Sequence, residues 1–155
     1  MRSGIGFDSH RLVPGRPLIL GGVAVDHELG LDGHSDADVL THALIDAVLG
    51  AAGLGDIGQH FPDTDERWRG ADSIALLREV IATVRAGGLE LLNADVTLVA
   101  ERPKLAHLRD DIRGSLADGL GVEAGLVNVK FTTGEGMGFV GRGEGMAALA
   151  VVMLR

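Results

Sequence analysis

Asp8, Ser9 and His10 place two metal-binding side chains two residues apart near the start of the chain. On an extended strand, residues i and i+2 point to the same side, so this carboxylate and this imidazole would be neighbours. His42 is a candidate third ligand. An Asp–His–His set is a borderline donor set for Zn²⁺, and three protein ligands leave the fourth tetrahedral position open to substrate or water. The pattern is of low specificity by itself, because Asp-x-His is a common tripeptide and its position in the sequence does not join it to His42.

Carboxylates recur at helical spacing around His42. Asp38, His42 and Asp46 stand at i, i+4 and i+8, so that a carboxylate could orient the imidazole, or the three could form a solvated helix face. His34 and Ser35 precede the expected helix N-terminus, where free backbone N–H groups and the helix dipole favour an anion such as phosphate. Equally, Ser35 could simply cap the helix while His34 ends a loop.

Two loops carry further polar groups. Segment 56–65 is rich in acids, whose carboxylates could accept hydrogen bonds from sugar-like hydroxyls; an ordinary turn shaped by Pro62 is the alternative. The glycine-rich run 132–145 offers hydroxyls, backbone amides and Arg142 to phosphate oxygens, and Glu135 could hold Mg²⁺ against a diphosphate. A flexible surface loop is the alternative. Its match to the dinucleotide-binding fingerprint is rejected, because no strand–turn–helix unit surrounds it.

The composition excludes several classes of protein. The chain has 155 residues, a net charge of -8 and only 3% aromatic residues, so it lacks the basic surface and stacking groups that nucleic-acid binding needs. It has no cysteine, which excludes disulfides, thiolate nucleophiles and Cys-ligated metals. No apolar run has the length of a signal peptide or a membrane span. We therefore expect a cytoplasmic protein that binds neither nucleic acid nor membrane.

Hydrophobic periodicity predicts the elements that position these groups. Strands are expected at 3–7, 17–20, 23–25, 94–100, 127–131 and 145–154. Three helices are expected: from a Ser35–Asp38 capping box to about Gly53, from Asp72 or Ser73 to Gly87, and from Pro103 to Leu120. These elements predict one α+β domain over residues 1–155, with a mixed β-sheet covered on one face by about three helices.

Several segments, taken in order, resemble the 2-C-methyl-D-erythritol 2,4-cyclodiphosphate synthase family of the non-mevalonate isoprenoid pathway. The segments that carry this resemblance are 6–11, 33–43, 56–58, 61–63, 103–104 and 132–145. The resemblance implies a homotrimer, assembled around the sheets, with active sites between subunits. It also implies a reaction in which the 2-phosphate of 4-diphosphocytidyl-2-C-methyl-D-erythritol 2-phosphate attacks the β-phosphorus. CMP then leaves and the cyclic diphosphate forms.

The same resemblance implies roles for individual residues. Asp8, His10 and His42 would hold Zn²⁺, Glu135 would lie at Mg²⁺ or Mn²⁺, and His34 and Thr133 would assist the transition state. Erythritol contacts are expected from 56–63 and cytidine contacts from 100–106. The full set expected to contact substrate is Asp8, His10, His34, Ser35, Asp56, Ile57, Gly58, Phe61, Asp63, Asp65, Ala100, Pro103, Lys104, Leu105, Ala106, Thr132, Thr133, Glu135, Phe139 and Arg142.

Two other functions stay open at this stage. A zinc hydrolase would use the same three ligands to activate water. A trimeric binding protein without catalysis would hold an isoprenoid diphosphate in a central channel near Phe139 and Arg142. Phe131 and His107 depart from the pattern of the family and border the expected nucleotide pocket, so the cytidine contacts are the least constrained part of the resemblance.

Overall fold

Seven β-strands frame the protein in the computed structural model, which describes residues 1–155. They are β1 (Arg2–Pro14), β2 (Leu18–Leu20), β3 (Val23–Val25), β4 (Leu29–Leu31), β5 (Leu91–Val99), β6 (Val127–Thr132) and β7 (Gly145–Leu154). Five of them form one sheet in the order β4-β1-β7-β5-β6, while β2 and β3 pair as a separate hairpin. The β5–β6 pair is parallel and the other pairs are antiparallel, so the predicted mixed sheet is confirmed.

Five helices accompany the strands. They are α1 (Val39–Ala52), α2 (Ile57–His60), α3 (Ser73–Ala86), α4 (Arg109–Leu120) and α5 (Gly138–Gly141), with 3₁₀ turns at Glu66–Trp68, Ala106–Leu108 and Ala124–Leu126. The three long helices are those predicted, and the α+β class is confirmed. None of the helices is both long enough and apolar enough to cross a membrane.

Helix α1 forms the centre of the hydrophobic core. It packs against β1 and β7 on one side and against α3 on the other, which is why its Ala, Leu, Val and Ile residues are buried all around. Each fully buried leucine contributes about 1.5–3 kcal/mol relative to an exposed one. His42 and Asp46 lie on the strip of α1 that is only partly buried. Core packing therefore leaves this one strip available to a site.

Several elements differ from the prediction. Strand β4 and the short helices α2 and α5 were not predicted, and β5 begins at Leu91 and not at residue 94. The third long helix begins at Arg109 and not at Pro103, because a 3₁₀ turn over Ala106–Leu108 precedes it. Leu105 and Leu108 fitted helical spacing because residues i and i+3 also lie on one side of a 3₁₀ turn. Strand β1 continues beyond residue 7 to Pro14, since its backbone pairs with β7 and then with β4.

Candidate active site

Three side chains from β1 and α1 converge at the surface. The Nε2 atom of His10 lies 2.8 Å from Oδ2 of Asp8, and Nδ1 of His42 lies 3.2 Å from the same oxygen. The two ring nitrogens are 3.3 Å apart. Asp8 and His10 share the face of β1 that packs on α1, and His42 lies on the strip of α1 left free by the core. The side chains of Asp8, His10 and His42 thus form a triad capable of binding a metal ion.

Hydrogen bonds fix the ring nitrogens that face away from the triad. Nδ1 of His10 donates to the carbonyl of Asp32 at 2.6 Å, so that in the neutral ring Nε2 carries no proton. Nε2 of His42 lies 3.1 Å from Oγ of Ser35 and 2.9 Å from Oγ of Ser73. Metal-ligating histidines in proteins use their second nitrogen in this way.

The carboxylates spaced along α1 do not orient His42, contrary to one of the two alternatives drawn from the sequence. Asp38 is fully buried and accepts hydrogen bonds from Gly21, Gly22 and Thr41, so it caps α1 and holds the β2–β3 turn. Asp46 accepts the backbone N–H of Ile57 at the start of α2. The solvated-face alternative is also wrong for Asp38, because burial places it in the core.

The charges of the triad keep the Asp8 carboxylate ionised. Burial acts to raise the pKa of Asp8, but hydrogen bonding with His10 and His42, and the charge that these rings carry when they are protonated, outweigh it and lower that pKa from 3.8 to about 2. Burial acts to lower the pKa of His10, but the hydrogen bond and the charge of Asp8 outweigh it and raise that pKa. Asp8 is therefore ionised at neutral pH, which is the form that ligates metal.

A cavity of about 390 Å³ opens beside the triad and is lined by residues from β1, α1, α2, α3 and the loops before α1 and α3. Its lining includes the predicted metal ligand His42 and seven predicted substrate contacts, which are His10, His34, Ser35, Ile57, Gly58, Phe61 and Asp63. Nε2 of His34 lies 3.0 Å from the carbonyl oxygen of Asp65. The Asp65 carboxylate pairs with Arg67, and the Asp56 carboxylate caps α2, so neither carboxylate lines this cavity.

Four residues that line this cavity were not among the predicted contacts: Gly33, Pro62, Trp68 and Leu76. The Trp68 ring lies edge-on to Phe61, with 5.0 Å between ring centroids, and forms an aromatic wall. The signal available in the sequence was a lone tryptophan close to an acidic loop. Leu76 carried no such signal, since it matches the apolar spacing of α3.

The residues predicted to receive cytidine lie in a second cavity, of about 280 Å³, at the ends of β5 and β6. Its lining includes Ala100, Pro103, Lys104, Leu105, Ala106, Thr132 and Thr133. Phe131 lies in this wall with the Arg109 guanidinium 5.4 Å from its ring centroid, whereas His107 is exposed and does not line the cavity. The two cavities have no lining residue in common.

The glycine-rich run forms a turn that is stabilised by hydrogen bonds to the side chain of Glu101. The carboxylate of Glu101 accepts the backbone N–H groups of Gly134 at 3.0 Å and Gly136 at 3.3 Å. The hydroxyl of Thr133 accepts the backbone N–H of Glu135 at 3.1 Å, and Glu135 itself is exposed, with a positive φ of 54°. Glu135 lines neither of the two cavities. The single turn of α5 leads straight into β7, which agrees with the rejection of a dinucleotide-binding unit.

The predicted channel residues lie apart from both cavities. Arg142 pairs with Glu144 at 2.9 Å and lines a third cavity of about 300 Å³ near β4. Phe139 is 40% exposed and lies beside His10 and Arg11. In one chain, therefore, the predicted site residues fall into separate groups.

Comparison with known proteins identifies relatives along the whole chain. Residues 1–155 match the YgbB family. The chain is 61% identical over 151 residues to the bifunctional enzyme IspD/IspF of Anaeromyxobacter sp. (strain Fw109-5), which is 97% of this chain but 39% of that protein. It is 58% identical over 154 residues to the 2-C-methyl-D-erythritol 2,4-cyclodiphosphate synthase of Geobacillus kaustophilus, covering 99% of this chain and 98% of that one.

Solved structures agree with these relatives. The fold superposes on a 2C-methyl-D-erythritol-2,4-cyclodiphosphate synthase in its CDP-bound form with a TM-score of 0.91 and 44% identity, covering 99% of this chain and 100% of the other. These findings confirm the resemblance drawn from the sequence. The chain belongs to the YgbB family.

Proposed function

We propose that residues 1–155 form one catalytic domain that converts 4-diphosphocytidyl-2-C-methyl-D-erythritol 2-phosphate to 2-C-methyl-D-erythritol 2,4-cyclodiphosphate with release of CMP. The observation that carries this proposal is the Asp8–His10–His42 triad, of which His10 and His42 line a cavity of about 390 Å³. Membership of the YgbB family and relatives with the synthase name over their full length support it.

The donor atoms of the triad fit Zn²⁺. One carboxylate oxygen and two imidazole nitrogens lie within 4.8 Å of one another, and the second nitrogen of each ring has its own hydrogen-bond partner. Glu135 would hold Mg²⁺ or Mn²⁺ against the diphosphate, because Mg²⁺ is often bound by one carboxylate together with substrate phosphates. When bound, these cations would neutralise charge on the reacting and leaving phosphates.

The side chains of the cavity would mainly position the substrate. A phosphate monoester has a second pKa of about 6, so the attacking oxygen is largely ionised at neutral pH and needs no strong general base. His34 and Ser35 line the cavity beside His42 and would contact the transferring phosphate. Ile57, Gly58, Phe61 and Asp63 line the same cavity and would contact the erythritol part of the substrate.

The nucleotide end of the substrate would occupy the second cavity, which the segment expected to contact cytidine lines. A similar synthase in its CDP-bound form supports a cytidine nucleotide as the ligand. Lys104, Thr132 and Thr133 would provide its polar contacts, with Ala100, Pro103, Leu105 and Ala106 forming the apolar wall. The two cavities share no lining residue, which supports an active site completed by a second copy of the chain.

An exposed apolar patch supports a homotrimer. Ile5 and Phe7 on β1 pair with Val151 and Leu149 on β7, and all four project from the sheet face opposite α1, with exposures between 39% and 69%. Three copies whose sheets face a common axis would bury this patch. An isoprenoid diphosphate in the resulting channel would lie near Phe139 and Arg142.

Product analysis tests the proposed activity. The purified protein is incubated with the cytidine diphospho substrate and Mg²⁺, and the products are quantified by ³¹P NMR. We expect CMP and the cyclic diphosphate in equal amounts. Inorganic phosphate or an open-chain hydrolysis product would favour the zinc hydrolase, and tight substrate binding without turnover would favour the binding protein.

A further inference from the structure

A line of hydrogen bonds leads from the His42 ring away from the cavity to the start of α3. We propose that Ser73 and Asp36 are positioning residues that fix the orientation and the tautomer of His42, so that its Nδ1 atom presents a lone pair beside Asp8 and His10. This inference rests on the proposed metal-binding role of the triad. Neither residue lines the cavity, and neither was among the site residues predicted from the sequence.

Ser73 connects the two ends of this line. It is the first residue of α3 and is fully buried. Its Oγ atom lies 2.9 Å from Nε2 of His42, its hydroxyl donates to Oδ1 of Asp36, and its backbone N–H donates to Oδ2 of Asp36 at 3.0 Å. The backbone N–H of Asp38 also donates to Oδ1 of Asp36, at 3.1 Å.

The direction of these hydrogen bonds follows from the chemistry of the groups. An ionised carboxylate only accepts, so the hydroxyl proton of Ser73 points to Asp36. The lone pairs of Ser73 Oγ then face His42, and the ring must carry its proton on Nε2 to make that hydrogen bond. Nδ1 is left without a proton, which is the state in which imidazole ligates a metal.

Ser35 does not fix the tautomer in this way, although its Oγ lies 3.1 Å from the same nitrogen. Its oxygen accepts the backbone N–H of Ala37 at 3.2 Å, but no carboxylate holds its hydroxyl proton. Ser35 can therefore donate or accept, whereas Ser73 can only accept from His42. The discrimination between tautomers comes from the Asp36–Ser73 pair.

The backbone stabilises this arrangement. Asp36 donates its backbone N–H to the carbonyl of Ala71 at 3.1 Å, and Gly70 donates to the carbonyl of His34 at 2.8 Å. These bonds join the loop before α1 to the loop before α3. Removal of a carboxylate that orients a metal ligand through hydrogen bonds typically weakens metal binding 10- to 100-fold.

Zinc affinity and ring NMR together test the inference. The zinc dissociation constant of the parent protein, Ser73→Ala and Asp36→Asn is measured by competition with a chelating dye, and the imidazole N–H signal of His42 is recorded in the zinc-loaded proteins. We expect both variants to bind zinc about 10- to 100-fold more weakly. We also expect the Nε2–H signal to exchange faster with water and to lose its downfield position.

Asp72→Asn is the matched control. Asp72 caps α3 through the N–H of Ile74, one residue from Ser73, and Asn caps equally well, so this variant removes a nearby charge without touching the hydrogen bonds of His42. It should bind zinc as the parent does.

If both test variants fold by circular dichroism and keep the parent affinity and the parent N–H signal, the inference is overturned. Weaker zinc binding with an unchanged signal would also overturn it, as would loss of folding in Ser73→Ala combined with parent behaviour of Asp36→Asn. If the parent itself binds no zinc, the proposed function fails instead.

Discussion

Gly6 of β1 lies directly against the backbone carbonyl of Ala43 in α1, so close that a β-carbon on Gly6 would fall 1.8 Å from that oxygen. Gly4 approaches the carbonyl of Ala47 in the same way, at 2.0 Å. Asp8 and His10 follow Gly6 on the same strand, and His42 immediately precedes Ala43. The contact between two backbones therefore sets the distance between the two halves of the triad.

Gly6→Ala should destabilise the protein and weaken metal binding together. The added methyl group must push β1 away from α1, and overpacking of this kind costs about 1–3 kcal/mol or more. Urea unfolding and zinc titration measure the two effects. Gly114→Ala on α4 is the control, because a β-carbon there meets no atom within 4 Å, and alanine in a helix should raise stability by about 0.5–1 kcal/mol. A Gly6→Ala protein as stable as its parent would contradict the role assigned to this contact.

His42→Ala should abolish stoichiometric zinc binding. The parent is expected to retain about one zinc per chain, and loss of one of three protein ligands leaves too few donors for a stable site. Metal analysis after dialysis measures the content. His60→Ala is the control, since His60 is exposed, lies outside the triad and makes one hydrogen bond through its ring, to the carbonyl of Leu54. Equal zinc in His42→Ala and the parent would refute the assignment.

Glu101→Gln should lower activity through the neighbouring turn. An amide has one acceptor oxygen, so one of the two bonds to Gly134 and Gly136 is lost, and a hydrogen bond to a charged group is worth about 1.5–3 kcal/mol. We expect kcat/KM to fall about tenfold at limiting Mg²⁺, with partial recovery at high Mg²⁺ and unchanged zinc content. CMP release measured across Mg²⁺ concentrations tests this. Glu123→Gln, at an exposed glutamate, should behave as the parent.

Asp38→Asn should destabilise the fold and leave the zinc content of the protein unchanged. Asp38 accepts four hydrogen bonds, from the N–H groups of Gly21, Gly22 and Thr41 and from the Thr41 hydroxyl, and an amide cannot accept all of them. One buried donor left without a partner costs about 1–3 kcal/mol. Denaturant unfolding measures this loss, and the exposed Asp26→Asn serves as the control. Unchanged stability would mean that the β2–β3 turn is held by other contacts.

The sequence predicted the helices and strands better than it predicted which side chains would form hydrogen bonds with one another. Asp38 illustrates this difference. Helical spacing correctly placed His42 on α1, whereas Asp38 is the N-cap of that helix. Periodicity does not say which side of a helix end faces the core. Asp38 faces the interior because the β2–β3 turn offers it two backbone N–H groups. His42 instead finds Ser73, which lies 31 residues further along the chain. Only the packing of α1 on α3 brings these two residues together.

Strand β1 shows a second limit. Apolar alternation ends at Phe7, so a pattern of side chains predicts that the strand ends there. The strand continues through Asp8 and His10 because its backbone pairs with β7 as far as Arg11. Such backbone hydrogen bonds do not depend on side-chain type, so the sequence pattern does not predict them. The two-residue spacing of Asp8 and His10 still predicted their common side, since that inference needs only an extended chain.

Mixed trimers should recover activity from two inactive variants. If the active site lies between subunits, the triad comes from one chain and Glu135 from its neighbour, as the separation of the two groups of site residues in one chain supports. His42→Ala and Glu135→Ala should each be nearly inactive. Refolded together in equal amounts, they should leave about a quarter of the sites without either substitution, because each interface samples the two chains independently.

The activity of the mixture therefore distinguishes the two arrangements. About a quarter of the parent activity is expected from the mixture, measured as CMP release per chain. Light scattering must first give the mass of a trimer, and subunit mixing is verified by native mass spectrometry of chains that carry different tags. A mixed trimer no more active than either variant alone would place the triad and Glu135 in one chain, and the shared site would be wrong. A parent protein that scatters as a monomer would contradict the homotrimer and would leave the exposed patch of Ile5, Phe7, Leu149 and Val151 without its proposed partner.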